Sequence, residues 1–266
     1  MSASNSNPAI IKAANCLYEA GVSGTACAPV RDLLPADDVK AAYEVQSYNT
    51  DRALAAGRRL VGRKIGLTAA SVQKQLGVSQ PDYGMLFADM ARGDGEDIKL
   101  CDTMQPKVEA EIAFIIGKDL TEEQLTMADL FCAIEYALPA IEIVGSRIAN
   151  WDIKITDTIA DNASSGLYVL GSRPVRLTDF DPVLCGMVTE KFGEPLSVGA
   201  GIACMGSPLN AALWLAQVMA KAGRPLCAGD TILSGALGPM VAVAPGDVFD
   251  VRIEGLGSVR AAFAKE

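Results

Sequence analysis

The run KVEAEIAFII, residues 107–116, places two glutamates, Glu109 and Glu111, two positions apart in an otherwise apolar stretch. Successive side chains of a β-strand point to opposite faces, so the two glutamates would share one face. The other face would be apolar, with Val108, Ala110, Ile112, Phe114 and Ile116. The pattern therefore predicts a strand that carries two carboxylates on the same face.

A second apolar run, PAIEIVGSR at residues 139–147, has the same form and contains a third glutamate, Glu142. We expect a second strand there, with its carboxylate facing inward like the other two. A buried carboxylate without a partner costs several kcal/mol, so each of the three needs a cation or a proton. A bound metal ion is the simplest solution.

The absence of histidine from the sequence narrows the chemistry. It excludes Ser-His-Asp and Cys-His triads, zinc sites of the HExxH type and acid–base catalysis by imidazole. Proton transfer is left to Lys, Asp, Glu, Tyr, Cys or water on a metal. A site made of carboxylates alone is hard and rich in oxygen, which favours Mg²⁺ or Mn²⁺ over zinc or copper.

The run RLVGRKIGLT, residues 59–68, predicts a strand in which Lys64 shares a face with Gly62 and Gly66. Glycine in a strand often marks the close approach of a ligand or of another backbone. A lysine is usually a surface residue, but an inward lysine between two glycines is a candidate for binding an anion.

Three connecting segments contain polar residues that are further candidates for the site. Asp82 and Tyr83 follow a proline and precede Gly84, which predicts a tight turn in which Asp82 is commonly just a backbone acceptor. Arg31 lies between two predicted helices and is either a solvated loop charge or a group that holds a substrate carboxylate. The run DTIADNASSG, residues 157–166, is polar and turn-prone, which is typical of a segment that lines a site.

The composition predicts a well-folded globular protein, since 50% of its 266 residues are hydrophobic. A formal net charge of −9 disfavours nucleic acid or an anionic membrane as the main partner. No signal-peptide pattern opens the sequence and no apolar run is long enough to span a bilayer. We therefore expect a soluble cytoplasmic protein whose scattered cysteines are buried, reduced thiols. They are Cys16, Cys27, Cys101, Cys132, Cys185, Cys204 and Cys227.

The order of the predicted elements favours a single domain of the α+β class over residues 1–266, with a helical part at about 1–60 and a strand-rich body at about 61–266. Helices are predicted at 8–20 (ending at Gly21), 37–56, 69–76 (with a turn at Gly77), 126–137 and 208–222. The last third alternates short strands with turns, including a hairpin around Gly193. No glycine-rich phosphate loop and no regular βαβ rhythm are present.

Several motifs, in order from about residue 40 to the end of the chain, resemble the fumarylacetoacetate hydrolase superfamily. They are GRKIGLT, QPDYG, VEAEIAF, PAIEIVGSR, KITDTIADNAS and ILSG. The closer likeness is to the hydratase/decarboxylase branch, which acts in the meta-cleavage degradation of aromatic compounds. Decarboxylases of that branch tend to carry a longer insertion before the DTI-DNA motif. Here only a short spacer separates Arg147 from Asp157, which favours a hydratase.

The resemblance implies a mixed β-roll or β-barrel with flanking helices and an active site in its mouth. It also implies an Mg²⁺ or Mn²⁺ ion on Glu109, Glu111 and Glu142, in agreement with the strand patterns. The family's active-site lysine falls on Lys64, and the acid of the following turn falls on Asp82. Positions that line the substrate site fall on Asn162, Ser164 and Ser234, and Arg31 remains a further candidate for substrate binding.

The function that the resemblance implies is a metal-dependent hydratase. Its substrate would be 2-hydroxypenta-2,4-dienoate, the dienol form of 2-oxopent-4-enoate, and its product 4-hydroxy-2-oxopentanoate. Some relatives use a histidine near the early lid region. If the chemistry needs an acid there, water or a neighbouring carboxylate must supply it in this chain. A homo-oligomer, and an association with the decarboxylase or aldolase of the same pathway, are further expectations from the family.

Three other functions remain open from the sequence. A 2-oxo-3-enedioate (4-oxalocrotonate) decarboxylase needs only the metal as an electron sink, so it is the nearest alternative. A C–C hydrolase of the acylpyruvase type usually activates water with a Glu–His pair, which a chain without histidine does not have. A non-catalytic scaffold for a pathway enzyme would fold and bind metal without turning over a dienoate.

Overall fold

The structure, a computed structural model, describes residues 7–70, 73–74 and 78–265. The helix predicted at residues 69–76 lies partly outside the described residues, and its turn at Gly77 lies wholly outside them. The α-helices whose bounds the structure gives are α1 Pro8–Ser23, α2 Val39–Ala55, α3 Met127–Ala133, α4 Ile155–Ala160 and α5 Pro208–Lys221.

The first two helices begin at side chains that cap them. The Asn7 carboxamide accepts a hydrogen bond from the Ala9 amide, and the Asp38 carboxylate accepts one from the Ala41 amide. Helix α1 runs through Gly21, where the sequence predicted its end, and stops instead at Gly24. Gly24 has a φ of 68°, the left-handed conformation that commonly ends a helix.

The helix predicted at residues 126–137 is wrong in its second half. Helix α3 ends at Ala133, and the chain continues directly into a long strand, Ile134–Val144, in which Pro139 lies five residues from the start. A proline inside a central strand is unusual because it lacks an N–H group. Pro139 is tolerated here because the strand on the side of its nitrogen, Leu167–Leu170, ends next to it. The Pro139 carbonyl still accepts a hydrogen bond from the Gly171 amide at 2.8 Å.

Two mixed sheets form the body. The strands are β1 Leu60–Gly66, β2 Asp82–Phe87, β3 Ala91–Arg92, β4 Asp97–Ile98, β5 Lys107–Ile116, β6 Ile134–Val144, β7 Leu167–Leu170, β8 Gly186–Lys191, β9 Glu194–Ala200, β10 Thr231–Leu233, β11 Val241–Ala242, β12 Val248–Ile253 and β13 Gly257–Phe263. The eight-stranded sheet has the order β2-β1-β10-β5-β6-β7-β3, with β11 also paired to β5. The five-stranded sheet has the order β4-β13-β12-β8-β9.

Most of these strand pairs are antiparallel, whereas β1–β10, β3–β7 and β4–β13 are parallel. The predicted hairpin around Gly193 is confirmed as β8 and β9. The α+β class and the β-roll with flanking helices are confirmed as well.

The hydrophobic core lies where the two sheets meet. Strands β12 and β13 pack against β6 and β7, and side chains such as Phe114, Ile141 and Phe249 are fully buried. Helices α1 and α2 build a second apolar cluster together with Ile148 and Ile159 of the body. The helical part is therefore attached to the body by hydrophobic packing.

The cysteines do not all behave as predicted. All seven are free thiols, but only Cys185 and Cys204 are buried. Cys101, Cys132 and Cys227 are exposed, so the prediction of buried thiols is wrong for these three. Among the described helices, none combines the length and apolar character needed to cross a membrane.

Two phenylalanines, one buried and one exposed, allow a test of the core. Phe114 on β5 is 0% exposed, whereas Phe131 on α3 is 50% exposed. Replacing Phe114 with Ala should lower the free energy of unfolding by about 3–5 kcal/mol, because it leaves a cavity in the core. The Phe131→Ala control should change it by less than about 0.5 kcal/mol. Equal urea midpoints for the two variants would contradict this description of the core.

Candidate active site

The register of β5 and β6 brings the three glutamates together. Glu109 lies directly opposite Glu142 in the antiparallel pair, and Glu111 follows on the same face of β5. Each of the three offers a carboxylate oxygen, and these oxygens lie within 4.8 Å of one another. The cluster predicted from the alternating pattern is therefore present.

The glutamate cluster is almost inaccessible to solvent, and several of its oxygens lack a hydrogen-bond partner. Glu111 and Glu142 are 0% and 1% exposed, and Glu109 is partly buried. Oε2 of Glu111 accepts the Gly235 amide at 2.8 Å. Within the described part of the chain, Oε1 of Glu111 and Oε2 of Glu142 have no hydrogen-bond partner, and Oε1 of Glu142 has the ammonium of Lys64 3.1 Å away. Buried carboxylate oxygens of this kind are costly unless a cation neutralises them.

Burial and mutual repulsion both act against three ionised carboxylates. Burial raises the pKa of Glu142 to about 7, with Lys64 opposing the shift and Glu109 adding to it. Burial also raises the pKa of Glu111 well above its usual range, and Glu142 and Glu109 raise it further. The pKa of Glu109 is raised by burial against the attraction of Lys64. A cation bound among them would reverse these shifts.

The residues of the cluster fit a hard divalent cation. They supply only carboxylate oxygens, the ligand type that Mg²⁺ and Mn²⁺ prefer, and several of these oxygens lack a protein partner. Lys64 supplies one buried positive charge against three carboxylates. The donor set and the charge balance therefore both call for a divalent ion.

Lys64 lies beside the glutamates on the same sheet face. In the sheet, Lys64 pairs with Leu233 of β10, and Leu233 pairs with Ala113 of β5. Ala113 lies two positions from Glu111 and therefore on the same face of β5. The side chain is 3% exposed, and Nζ lies 3.1 Å from Oε1 of Glu142. Nζ also donates to the Ala163 carbonyl at 2.9 Å.

The charge on Lys64 is stabilised by its neighbours. Burial lowers the pKa of its ammonium group, but Glu142, Asp82, Glu109 and Glu111 together outweigh burial and raise it above its usual value. Lys64 is therefore a buried cation in the site and is not suited to act as a base.

Asp82 is the first residue of β2, so the tight turn predicted at Asp82 and Tyr83 is wrong. Cα pairing places Asp82 opposite Gly66 and Gly84 opposite Lys64, which puts the two charged side chains diagonally on one face. Asp82 is 1% exposed, and its carboxylate lies close to the Thr158 side chain and the Gly66 backbone. Burial raises its pKa, while Lys64 lowers it.

The glycines beside Lys64 make room for protein atoms. A Cβ on Gly66 would lie 2.2 Å from Oδ1 of Asp82 and 3.5 Å from Nζ of Lys64. A Cβ on Gly62 would lie 2.0 Å from the Thr231 carbonyl oxygen on β10. Gly66 therefore allows the Lys64–Asp82 arrangement, and Gly62 allows close strand packing.

The segment Asn162–Ser164 forms a left-handed turn against Lys64. Its three residues have φ values of 55°, 51° and 56°, a conformation that is unfavourable for residues other than glycine. This turn directs the Ala163 carbonyl to Lys64. The Asn162 side chain pairs with both the amide and the carbonyl of Met85, at 2.7 and 2.9 Å, and so fixes the turn to β2.

The other predicted substrate residues have different surroundings. Oγ of Ser164 lies 3.2 Å from Oγ1 of Thr158, close to Asp82. Ser234 is 0% exposed and precedes Gly235, whose amide donates to Glu111. Both serines therefore lie at the edge of the charged site.

Arg31 has carboxylate partners within the protein itself. Its Nη1 lies 2.7 Å from Asp157, which is fully buried, and its Nη2 lies 2.9 Å from Asp152. These ion pairs attach the segment Val30–Leu33 to α4, through Asp157, and to the chain just before it, through Asp152. The guanidinium of Arg31 is thus paired with carboxylates of the protein itself, and its contact with a substrate carboxylate stays a prediction.

Sequence reasoning missed three contributors to the site. The Ala163 carbonyl and the Gly235 amide act through the backbone, which no side-chain pattern reveals. Thr158 lies within the quoted motif KITDTIADNAS, so its position was visible but its contact with Ser164 was not.

The profile of the fumarylacetoacetate (FAA) hydrolase C-terminal family matches residues 52–264. The chain belongs to the fumarylacetoacetate hydrolase family. Lys64, Asp82 and the three glutamates all lie inside the matched range. The suspected family is therefore confirmed by a match that covers most of the chain.

Curated members of the FAA hydrolase family are similar to this chain over nearly their whole length. The TodF product hydratase of Pseudomonas putida F1 is 72% identical over 257 residues, which cover 97% of this chain and 96% of that protein. The 2-keto-4-pentenoate hydratase 1 of Dechloromonas aromatica RCB is 62% identical over 252 residues, 95% of this chain and 96% of that one.

A solved structure also matches the fold closely. The 4-oxalocrotonate decarboxylase from Pseudomonas putida G7, complexed with magnesium and adipate, superposes with a TM-score of 0.91. It is 35% identical, and the alignment covers 96% of this chain and 97% of that chain. The hydratases and this decarboxylase are thus similar to the protein along its length.

Replacing Glu142 with Gln should weaken Mg²⁺ or Mn²⁺ binding by at least roughly tenfold, since the loss of even an outer partner of a metal ligand typically costs that much. Glu135 lies on the same strand but is exposed, so Glu135→Gln is the matched control and should bind metal like the wild type. Titration calorimetry with the folded variants would measure both affinities. Wild-type affinity in Glu142→Gln would end the proposal of three carboxylate ligands.

Proposed function

We propose that this protein is a divalent-metal-dependent hydratase that adds water to 2-hydroxypenta-2,4-dienoate (2-oxopent-4-enoate) to give 4-hydroxy-2-oxopentanoate in meta-cleavage degradation of aromatic compounds. One observation carries the proposal: a buried cluster of three glutamates with Lys64 and Asp82 on the same sheet face. The relatives at 72% and 62% identity, both named hydratases, support it.

The metal ion in this proposal is Mg²⁺ or Mn²⁺, held by Glu109, Glu111 and Glu142. When bound, such an ion would act as a Lewis acid on substrate oxygens and neutralise their negative charge. The magnesium in the similar decarboxylase structure supports this assignment.

Lys64 would stabilise negative charge that develops on the substrate oxygen at C2. The Ala163 carbonyl and Glu142 hold its Nζ in place, so little reorganisation is needed during the reaction. Because its neighbours keep it charged, it would act as an electrostatic group or a proton donor.

Asp82 would handle the proton of the water that adds at C4. Its buried carboxylate lies diagonally across from Lys64 on one face of the sheet, and burial raises its pKa, which makes it a stronger base than an exposed aspartate. Its close approach to Gly66 and Lys64 keeps it within the site. Ser164, Ser234 and the Asn162 turn would form the wall around the substrate.

The second candidate function is decarboxylation of a 2-oxo-3-enedioate such as 4-oxalocrotonate. The TM-score of 0.91 to a decarboxylase supports it, but that protein is only 35% identical. A decarboxylase would release CO₂ from the dicarboxylate and would leave the pentadienoate unchanged. A non-catalytic scaffold would convert neither compound despite folding and binding metal.

We further propose that the single catalytic domain assembles as a homo-oligomer in the cytoplasm. Strand β9 lies at the edge of its sheet, and large apolar side chains near it are exposed. They are Leu184, Phe192, Leu196, Val198 and Ile202. An exposed apolar edge is typical of an interaction surface.

A complex with the pathway decarboxylase or aldolase is a further proposal from the family.

The reaction is tested with freshly prepared 2-hydroxypenta-2,4-dienoate in the presence of Mg²⁺, Mn²⁺ or EDTA. We expect metal-dependent loss of the dienol absorbance and formation of 4-hydroxy-2-oxopentanoate, with no loss in EDTA. The dicarboxylate serves as the parallel substrate, with CO₂ as the readout. If only the dicarboxylate is turned over, the hydratase proposal is wrong and the protein is a decarboxylase.

Replacing Lys64 with Met keeps the volume of the side chain but removes its charge. The turnover number should fall by roughly a hundredfold or more, since that is typical for the loss of one preorganised electrostatic group. Metal should remain bound, because the three glutamates are unchanged. Lys12→Met, on the exposed face of α1, is the control and should keep full activity. An unchanged rate in Lys64→Met would remove Lys64 from the mechanism.

A further inference from the structure

The orientation of the Glu111 carboxylate depends on a backbone amide from another strand. The Gly235 amide donates to Oε2 of Glu111 at 2.8 Å. The segment that carries this amide follows β10 and is attached to β5 by the Ser234 amide, which donates to the Ile112 carbonyl at 3.1 Å. The peptide group between Ser234 and Gly235 therefore lies directly beside the glutamate cluster.

Gly235 cannot fix the direction of this peptide group by itself. Its φ is 106°, and a Cβ at this position would lie 2.4 Å from Oγ1 of Thr68, so a side chain has no room here. Glycine populates positive and negative φ about equally well. If the peptide group rotated, its N–H would turn away from Glu111. Another contact is therefore needed to hold the group in its observed orientation.

The thiol of Cys204 supplies this contact. Cys204 lies in the turn before α5 and is 0% exposed, and its Sγ donates to the Ser234 carbonyl at 3.0 Å. Burial raises the pKa of Cys204 to about 12, against a smaller opposing effect of the Thr68 side chain. The thiol thus keeps its proton, and the carbonyl oxygen can only accept it in a hydrogen bond.

The Ser234 carbonyl and the Gly235 amide belong to the same planar peptide group. Holding the carbonyl therefore also fixes the direction of the N–H that points at Glu111. The two hydrogen bonds are connected in series, from the Cys204 thiol through the peptide group to the carboxylate. Hydrogen bonds connected in this way polarise and strengthen one another.

We propose that Cys204 is a positioning residue for the glutamate cluster. Its thiol holds the Ser234–Gly235 peptide group so that the Gly235 amide keeps the Glu111 carboxylate in the orientation that binds the divalent ion. The part of the ion rests on the proposed function, whereas the hydrogen bond does not. Groups that orient metal ligands contribute strongly to metal affinity. A thiol suits this place because it packs like a small apolar group and still offers one donor.

Removal of the thiol tests its effect on metal binding. In Cys204→Ala, the affinity for Mg²⁺ or Mn²⁺ measured by titration calorimetry should fall by roughly threefold to tenfold, the equivalent of one neutral hydrogen bond. Cys204→Ser keeps a donor at this position and should recover most of the loss. Cys185→Ala is the matched control, because Cys185 is also buried but its Sγ faces the Pro182 carbonyl at 3.7 Å. This control should bind metal like the wild type.

The infrared S–H stretching band gives a readout that requires neither metal nor activity. The band of Cys204 is the one that disappears in Cys204→Ser, so it is identified even if Cys204→Ala does not fold. We expect it at a lower frequency than the band of a thiol without an acceptor. It should move when Mg²⁺ is added to the wild type, because the charge on Glu111 changes at the other end of the peptide group. The band of Cys185 should stay in place.

Thermal unfolding of each variant confirms that it is folded. A Cys204 band at the frequency of a free thiol, or one that does not respond to bound Mg²⁺, would overturn the proposal. Wild-type metal affinity in Cys204→Ala, or equal losses in the Ala and Ser variants, would overturn it too, since the donor would then be irrelevant. A wild-type chain that binds no metal would contradict the proposed function, and the metal-free band alone would then decide whether Cys204 holds the peptide group.

Discussion

The direct cross-strand pairing of Glu109 with Glu142 is the interaction on which the rest of the site depends. Like charges opposite each other destabilise a sheet, and here Glu111 adds a third carboxylate on the same face. Asp82 brings a fourth, and Lys64 offers a single positive charge in return. The fold therefore contains an excess of buried negative charge that a bound cation or protonation must relieve. A divalent ion bound among these carboxylates would be stabilised by the same charges that repel one another without it.

The frame around the cluster is built to hold Lys64 and Asp82 against it. Strands β1 and β2 present both side chains on the cluster's face, and Gly66 leaves the space that they share. The left-handed turn Asn162–Ser164 costs roughly 1–2 kcal/mol per residue. That cost is offset where the Asn162 amide bonds the turn to β2, and the strained backbone delivers the Ala163 carbonyl to Lys64. The strained turn thus lies directly beside Lys64.

Side-chain patterns in the sequence predicted the charged groups of the candidate site. The two-residue spacing of Glu109 and Glu111 predicted a shared face, and the glycines beside Lys64 predicted a close approach. Asp82 was placed in a turn because proline and glycine flank it, whereas Gly84 is needed for another reason: a Cβ there would lie 2.2 Å from the Asn162 carbonyl oxygen. Such long-range contacts, like the Ala163 carbonyl, depend on tertiary packing that local patterns do not encode. The role of Asp82 followed only from the family resemblance.

The central claim is that Glu109, Glu111 and Glu142 jointly bind one divalent ion. Anomalous diffraction from crystals grown with Mn²⁺ tests it most directly, because manganese scatters anomalously and the light atoms of the protein scarcely do. The account predicts one strong peak about 2.1 Å from an oxygen of each glutamate, the distance of a tightly bound hard cation. A peak elsewhere, or none at the cluster in manganese-saturated crystals, would contradict it.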